Sequence, residues 1–358
     1  MGEKIPVAVL GATGSVGQRF VQLLSNHPWF QVAALTGSDR SSGMSYAEAC
    51  HWVLSEPMPE EARELVLTPS DADLMDVKLA FSALPAKAAL EVEPYLADSG
   101  VIVCSNASAY RTAEDVPILL PEVNPEHVAL LDVQQRKRGW KGGIVTNSNC
   151  TITGVSIVLK ALQEAFGVKR LFAVSMQALS GAGYPGVSAM DIADNVIPYI
   201  QDEEDKVETE PLKILGTFAD GRIIPAGIKI SAHTNRVAVS DGHTVCLSVE
   251  LEERATPEEA GVVLGEFTLA EVIRGLPSAP RPPIMVRSEA DRPQPRLDRM
   301  AGDGMTTVVG RLRPDLIFDL RIVVLSHNTI RGAAGGSIFN AELLVRQGLV
   351  EGVSVPHA

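Results

Sequence analysis

Positive charge, aromatic rings and long apolar runs are all scarce in this sequence. Lys and Arg number 31 against 44 Asp and Glu, a formal net charge of −13. A surface of that sign repels a phosphate backbone. It argues against nucleic acid as a partner and leaves room only for a local positive pocket holding a small anion. No apolar stretch approaches the roughly 20 residues of a membrane-spanning helix, so no membrane partner is expected. Residues 1–4 are polar and the apolar run that follows ends in a glycine-rich turn, so the reading expects no secretory signal and a cytoplasmic location. The four cysteines, Cys50, Cys104, Cys150 and Cys246, stand far apart without a C-x-x-C pair. That speaks against a zinc site, leaves no metal expected, and fits free thiols in a reducing compartment.

The chain has 358 residues, 46% of them hydrophobic and 21% charged, enough for two domains. Apolar runs at 5–10, 32–35, 79–82 and 101–104 read as buried strands. Val16, Phe20, Leu23 and Leu24 recur at helical spacing, and 86–96 is an alanine- and leucine-rich helix. This alternation predicts a parallel sheet with helices on its faces. Asn124-Pro125 reads as an N-cap opening a helix that ends in the basic cluster 136–138. A strand at 144–146, a turn at 147–149 and a helix through Ile152, Val155, Leu159, Leu162 and Phe166 follow. Farther on, 170–178, 243–250, 305–311 and 316–325 are strand-like without a helix after each, which predicts a mixed, largely antiparallel sheet. Thr256-Pro257-Glu258-Glu259 has the form of a capping box. The proline-rich segment 277–295 reads as an irregular surface connection, and the last helix, about 333–347, is expected to pack back onto the first domain. No internal repeat is present. The fold class expected is α/β. A Rossmann-type, doubly wound domain takes residues 1–149 and 331–358, and an α+β domain with the mixed sheet takes 150–330.

Gly11-Ala12-Thr13-Gly14-Ser15-Val16-Gly17 lies between the first strand and the first helix. Glycine in such a turn admits a pyrophosphate close to the backbone, and the helix start offers free N–H groups. A dinucleotide site is expected there. The second strand runs into Ser38, Asp39, Arg40 and Ser41. The serines and Arg40 suit the 2′-phosphate of NADP, whereas Asp39 is the residue that would accept the ribose hydroxyls of NAD. NADP is the reading favoured.

Cys150 follows the polar frame Thr146-Asn147-Ser148-Asn149 and precedes a helix. A helix N-terminus favours a thiolate, and neighbouring N–H groups can hold an oxyanion on a substrate bound to the sulfur. The other three cysteines fit inert packing. A nucleophilic cysteine beside a nicotinamide implies exchange of hydride with an aldehyde through a thiohemiacetal and a thioester.

The segment 145–151 resembles the active-site segment of aspartate-semialdehyde dehydrogenases, in their archaeal and fungal branch. The resemblance extends over nearly the whole chain, through 105–111, 177–186, 210–216, 235–237 with 241–243, and 328–336. It implies the fold shared with glyceraldehyde-3-phosphate dehydrogenase, and reduction of 4-phospho-L-aspartate to L-aspartate 4-semialdehyde and phosphate with NADPH. It implies Cys150 as nucleophile, His243 as acid and base, and Gln177 as an orienting group. Arg236 would clamp the substrate carboxylate, Glu210 would face its amino group, Arg111 and Lys213 would hold phosphate, and Asn149 would border the site. Ser82, Leu84, Pro85, Ser180, Gly181 and Asn328 would flank the nicotinamide half. It also implies self-association through the second sheet, as a homodimer or homotetramer. Seen without the resemblance, His243, Arg111 and Arg236 read as ordinary surface residues, and Glu210 as part of the solvated acidic run 202–210.

Two positions depart from the pattern. His233 and Ala238 flank Arg236 where a small residue or glutamine and a proline are usual; His233 either lies near the pocket, where it would alter substrate choice, or lies on the outer face of the strand. Malonyl-CoA reductases share the architecture and are the alternative reading. Asn149 ahead of Cys150, and lysine at 213, favour the semialdehyde reading. A non-catalytic NADP sensor on the same fold is the remote alternative.

Overall fold

The computed structural model describes residues 4–70 and 77–356. Residues 1–3, 71–76 and 357–358 of the expected nucleotide domain lie outside the described residues. The first sheet contains β1 (Ile5–Leu10), β2 (Phe30–Gly37), β3 (Leu67–Pro69), β4 (Leu79–Ser82), β5 (Ile102–Ser105) and β6 (Gly143–Thr146). All are parallel, in the order β3-β2-β1-β4-β5-β6. Strands β4, β5 and β6 are buried at every position, as continuous apolar runs covered on both faces should be. Among the helices of eight or more residues, α1 (Ser15–Leu24) follows β1, α2 (Ala86–Asp98) follows β4 and α3 (Leu130–Arg138) precedes β6. The strand order reverses between β1 and β4. That leaves a crevice beyond their C-terminal ends, where doubly wound sheets hold ligands.

The chain leaves β6 into α4 (Ile152–Phe166), β7 (Val168–Gln177) and α5 (Glu203–Ile214). The small hairpin β8 (Thr217–Ala219) and β9 (Arg222–Ile224) follows. Then come β10 (Lys229–Arg236), β11 (His243–Leu251), α6 (Pro257–Gly265), β12 (Ile284–Val286), β13 (Thr307–Pro314), β14 (Leu320–Ser326) and α7 (Gly335–Arg346). The second sheet has the order β10-β7-β11-β14-β13-β12. Its outer pairs are parallel and its three inner pairings antiparallel, the mixed sheet expected. Leu171, Ala173, Val245, Leu247, Ile322 and Val324 form one core with Ile152, Val155, Leu159 and Leu162 of α4. Helix α7 is buried from Gly335 to Val345 and packs against the first sheet, which explains its apolar run.

Several expectations are met and several corrected. The capping box forms: Thr256 Oγ1 accepts from Glu259 N–H, and Glu259 Oε2 accepts from Thr256 N–H. The strand expected from 316 begins only at Leu320. Asp315 turns the chain by accepting from Ile317 N–H at 2.8 Å, leaving Leu316 and Ile317 exposed. Asn124 points inward instead of capping: its Oδ1 accepts from Leu120 N–H at 2.8 Å and its Nδ2 donates to Ile214 O. A tight turn, Pro125–Ala129, therefore precedes α3. The segment 277–295 contains β12. The acidic run 202–210 is mostly α5, whose residues 203, 207, 210, 211 and 214 are buried. Ahead of α7 the chain is wound wide, with Gly332 N–H bonded to His327 O and Ala334 N–H to Thr329 O.

Arg331 in that wide turn is fully buried with Glu122. Its Nε donates to Glu122 Oε1 at 3.0 Å, and its Nη2 donates to Oε2. Removing one partner of such a pair leaves a buried charge uncompensated. Glu122→Gln is expected to lower the unfolding free energy in urea by about 3–5 kcal/mol. A loss near that of a surface pair, under about 1 kcal/mol, would refute this account.

Candidate active site

The turn after β1 is shaped by Gly11. Its φ of +70° lies in the left-handed region, and a Cβ there would stand 3.1 Å from Ala83 O. Gly11 N–H donates to Thr36 Oγ1, and Thr13 O accepts from Gln18 Nε2. Gly17 packs against the Gly11 carbonyl, so α1 starts close to β1 with Gly14 as its N-cap. The start of α1 opens on a cavity of about 560 Å³. Gly14, Ser15, Val16, Leu84 and Pro85 line one side; Ser180, Gly181 and Asn328 line the other. Arg111, Asn149 and Cys150 line the same cavity. The glycine turn and the cysteine, 139 residues apart in sequence, thus share one space. Ser82 is buried behind this wall. Asn328 ties the far wall together, donating to Ser180 Oγ at 2.8 Å and accepting from Gly242 N–H at 2.8 Å. At the end of β2, Ser38 and Arg40 are exposed, and Ser41 Oγ donates to Ser38 O.

Cys150 sits between β6 and α4, half-buried, with its Sγ 3.3 Å from His243 Nε2. His243 begins β11, and its Nδ1 accepts from Ala178 N–H at 3.0 Å. A ring whose Nδ1 is an acceptor carries its hydrogen on Nε2 when neutral. It is neutral here: burial, helped by Arg236, pushes His243 down to about 3. The Nε2–H therefore points at the sulfur. Burial, then the charge of Glu203, pushes the thiol up to about 12 against the pull of Arg111 and Arg236. Both causes favour the neutral thiol, on a sulfur that borders the cavity. This corrects the thiolate expected from the helix start. Burial outweighs the helix dipole, which acts only over the first turn. The neighbouring N–H groups are also largely committed: Asn149 N–H to Glu210 Oε2 and Thr151 N–H to Asn149 Oδ1.

Around this pair the charges are matched. Arg236 ends β10, buried, with Nη1 on Ala178 O at 2.7 Å, and Gly181 lies against both Arg236 and His243. Arg111 Nη1 bonds Glu210 Oε1 at 3.1 Å and its Nη2 bonds Asn106 O, while its buried Nε has no partner among the described residues. Glu210 thus has both oxygens engaged, one on Arg111 and one on Asn149 N–H. Lys213 is placed otherwise than expected for a phosphate ligand. Its three N–H groups go to the carbonyls of Arg111, Ala113 and Val116, so it anchors the Arg111 segment to α5. Gln177 ends β7 and, with Asn149 and Thr151, reaches Glu203, which the sequence reading passed over as solvated. Glu203 and Glu210 share one helical stripe with Val207 and Ile214, so carboxylates themselves occupy part of the buried face. His233 is exposed on the opposite side of β10 from Ala232, Thr234 and Arg236, packed edge-on to Phe172. It is away from the site.

A free thiol facing an imidazole N–H predicts the reactivity of the unliganded enzyme. Alkylation of Cys150 by iodoacetamide is expected to accelerate with pH through the range from about 8 to 10. A thiolate–imidazolium pair would instead give a plateau between about pH 5 and 7, and that plateau would overturn the assignment.

Two family models match: "Semialdehyde dehydrogenase, NAD binding domain" over residues 6–131 and "Semialdehyde dehydrogenase, dimerisation domain" over 159–331. The aspartate-semialdehyde dehydrogenase of Archaeoglobus fulgidus is 50% identical over 344 residues, covering 96% of this chain and 99% of the relative. That of Saccharomyces cerevisiae is 43% identical, covering 98% of this chain and 100% of the relative. The crystal structure of the Candida albicans aspartate semialdehyde dehydrogenase with NADP aligns with a TM-score of 0.89 at 42% identity, covering 97% of this chain and all of that one. With the cysteine, the histidine and the glycine turn around one cavity, these likenesses settle the family: the chain belongs to the aspartate-semialdehyde dehydrogenases.

Proposed function

We propose that the chain is an NADPH-dependent aspartate-semialdehyde dehydrogenase. It reduces 4-phospho-L-aspartate to L-aspartate 4-semialdehyde and phosphate, in the biosynthesis of lysine, threonine, methionine and isoleucine. The observation that carries the reading is the shared cavity, with Cys150 Sγ 3.3 Å from His243 Nε2 and the start of α1 on the same wall. The residues present fit NADP. The α1 N-terminus has no acidic residue in its first turn and no side-chain cap, so its N–H groups are open to a pyrophosphate. Arg40 is exposed at the end of β2 without an ion-pair partner among the described residues, a place for the 2′-phosphate. Leu84, Pro85, Ser180, Gly181 and Asn328 would border the nicotinamide. When bound, the nicotinamide supplies the hydride.

Cys150 Sγ forms a bond to the acyl carbon of the substrate, and the bond from that carbon to phosphate oxygen breaks. His243 already carries a hydrogen on Nε2, so the thiol proton leaves with the phosphate, giving a thioester and hydrogen phosphate. The Nε2–H beside the sulfur steadies the acyl oxygen as it becomes an oxyanion. When the reduced carbon parts from sulfur, the aldehyde departs, the sulfur leaves as a thiolate held by the Nε2–H, and solvent supplies the proton that restores the thiol. Arg236 clamps the substrate carboxylate, and Arg111, on the cavity wall, meets the phosphate. Gln177 orients the acyl group. Residues 1–149 with 331–358 serve the cofactor and 150–330 the chemistry. The outer face of the second sheet, with Phe172, Ile230 and the exposed Leu316 and Ile317, joins copies of the chain into a homodimer or homotetramer in the cytoplasm.

NADPH oxidation is expected with aspartyl phosphate and not with malonyl-CoA, and Cys150→Ser should lower it by roughly 10⁴-fold or more. Turnover of malonyl-CoA alone would replace this reading with an acyl-CoA reductase. Arg40→Ala should raise KM for NADPH by about tenfold while leaving KM for NADH in place. Equal effects on both cofactors would remove Arg40 from the site.

A further inference from the structure

Building on the reduction proposed above, we infer that Glu203 is a positioning residue, whose one carboxylate oxygen gathers Asn149, Thr151 and Gln177 around the nucleophile. Glu203 opens α5 with its side chain 9% exposed. Its Oε1 accepts from Asn149 Nδ2 at 2.8 Å, from Thr151 Oγ1 at 3.1 Å and from Gln177 Nε2 at 3.1 Å. Those three residues come from the two sides of Cys150 and from the end of β7, so a single acceptor joins three parts of the chain. Its Oε2 has Lys206 Nζ at 3.6 Å.

A carboxylate only accepts, and that decides the orientation of both amides. With Nδ2 of Asn149 turned to Glu203, Oδ1 is left for Thr151 N–H at 2.8 Å, which closes the turn that presents Cys150. With Nε2 of Gln177 turned to Glu203 and Ser175 Oγ, its carbonyl oxygen is left without a protein donor among the described residues. Gln177 thus offers the substrate an acceptor, never a donor. A neutral amide at 203 both donates and accepts and does not impose this choice. Glu203 acts through these side chains, while its charge opposes ionisation of Cys150 and favours that of Arg236.

Glu203→Gln is expected to lower kcat with aspartyl phosphate on the order of 100-fold, as loss of alignment does, with KM for NADPH unchanged. In a Gln177→Ala background the same change should cost far less, because the alignment is already lost. The alkylation profile of Cys150 should move to lower pH in Glu203→Gln and stay in place in Glu203→Asp. A kcat within about threefold of wild type, losses that add in the double variant, or an unmoved alkylation profile would each overturn the proposal. Should the glutamine variant not fold, Glu203→Asp is paired with Gln177→Ala. Coupled losses in kcat then support the role and additive ones end it. Alkylation needs no substrate. A wild-type chain silent with aspartyl phosphate would therefore sink the reaction assigned above, while the profile still judges Glu203.

Discussion

The hydrogen bond from Ala178 N–H to His243 Nδ1, 3.0 Å long, is the contact on which the reacting centre depends. It is made by strand register. β7 and β11 run antiparallel with Thr244 opposite Met176, which brings the start of β11 to the end of β7. A slip by one residue would send His243 to the outer face of the sheet and leave the sulfur without a partner. The bond also selects the tautomer, and so the direction in which the first proton can move. A backbone donor cannot be titrated or rotated away, so the neutral imidazole keeps its hydrogen toward Cys150.

Bringing the sulfur to that imidazole requires the two sheets to meet. Cys150 lies where the chain leaves the first sheet and enters the helix that covers the second. The wide turn ahead of α7 closes against it. Gly332 approaches so near that a Cβ there would stand 2.8 Å from Cys150 Cβ. Asn147 Nδ2 holds the turn by donating to Gly332 O and Ala333 O. The buried Arg331–Glu122 pair fixes the same turn from behind. Segments nearly 200 residues apart are thus locked around one atom by neutral amides and one ion pair. Such a constellation tolerates little displacement.

Much of the fold was legible in the residue pattern, since the strands of the first sheet are unbroken apolar runs and the glycine turn lies between strand and helix. Strand β10 carries little signal of its own: along Lys229–Arg236 only Ala232, Thr234 and Arg236 are buried, and an arginine facing inward does not mark a strand. Helix α5 was hidden because carboxylates occupy its buried stripe, where apolar residues would normally mark the face. The residues proposed for the site came from a family resemblance. The geometry then separates Lys213, spent on three carbonyls, from Arg111, which lines the cavity. No sequence pattern distinguishes those two cations. The neutral state of the thiol was equally out of reach, because burial is a property of the assembled pocket.

That neutral state bears on what the site can react with. A thiol is a poor nucleophile and resists oxidation. Its imidazole neighbour already carries the hydrogen on the facing nitrogen and cannot receive a second without breaking the bond from Ala178. The proton must go to a group that arrives with the substrate. An acyl phosphate brings that group, since the phosphate becomes more basic as its bond to carbon breaks. Sulfur thus becomes a nucleophile as the leaving group becomes a base, and both changes belong to one transition state. Arg111 and Arg236, proposed to meet the two anionic ends of such a substrate, stand beside the charges of Glu210 and Glu203. Burial and Glu203 raise the thiol, and a base that arrives with the substrate lowers it, so the arrangement that protects the sulfur also favours an acyl phosphate.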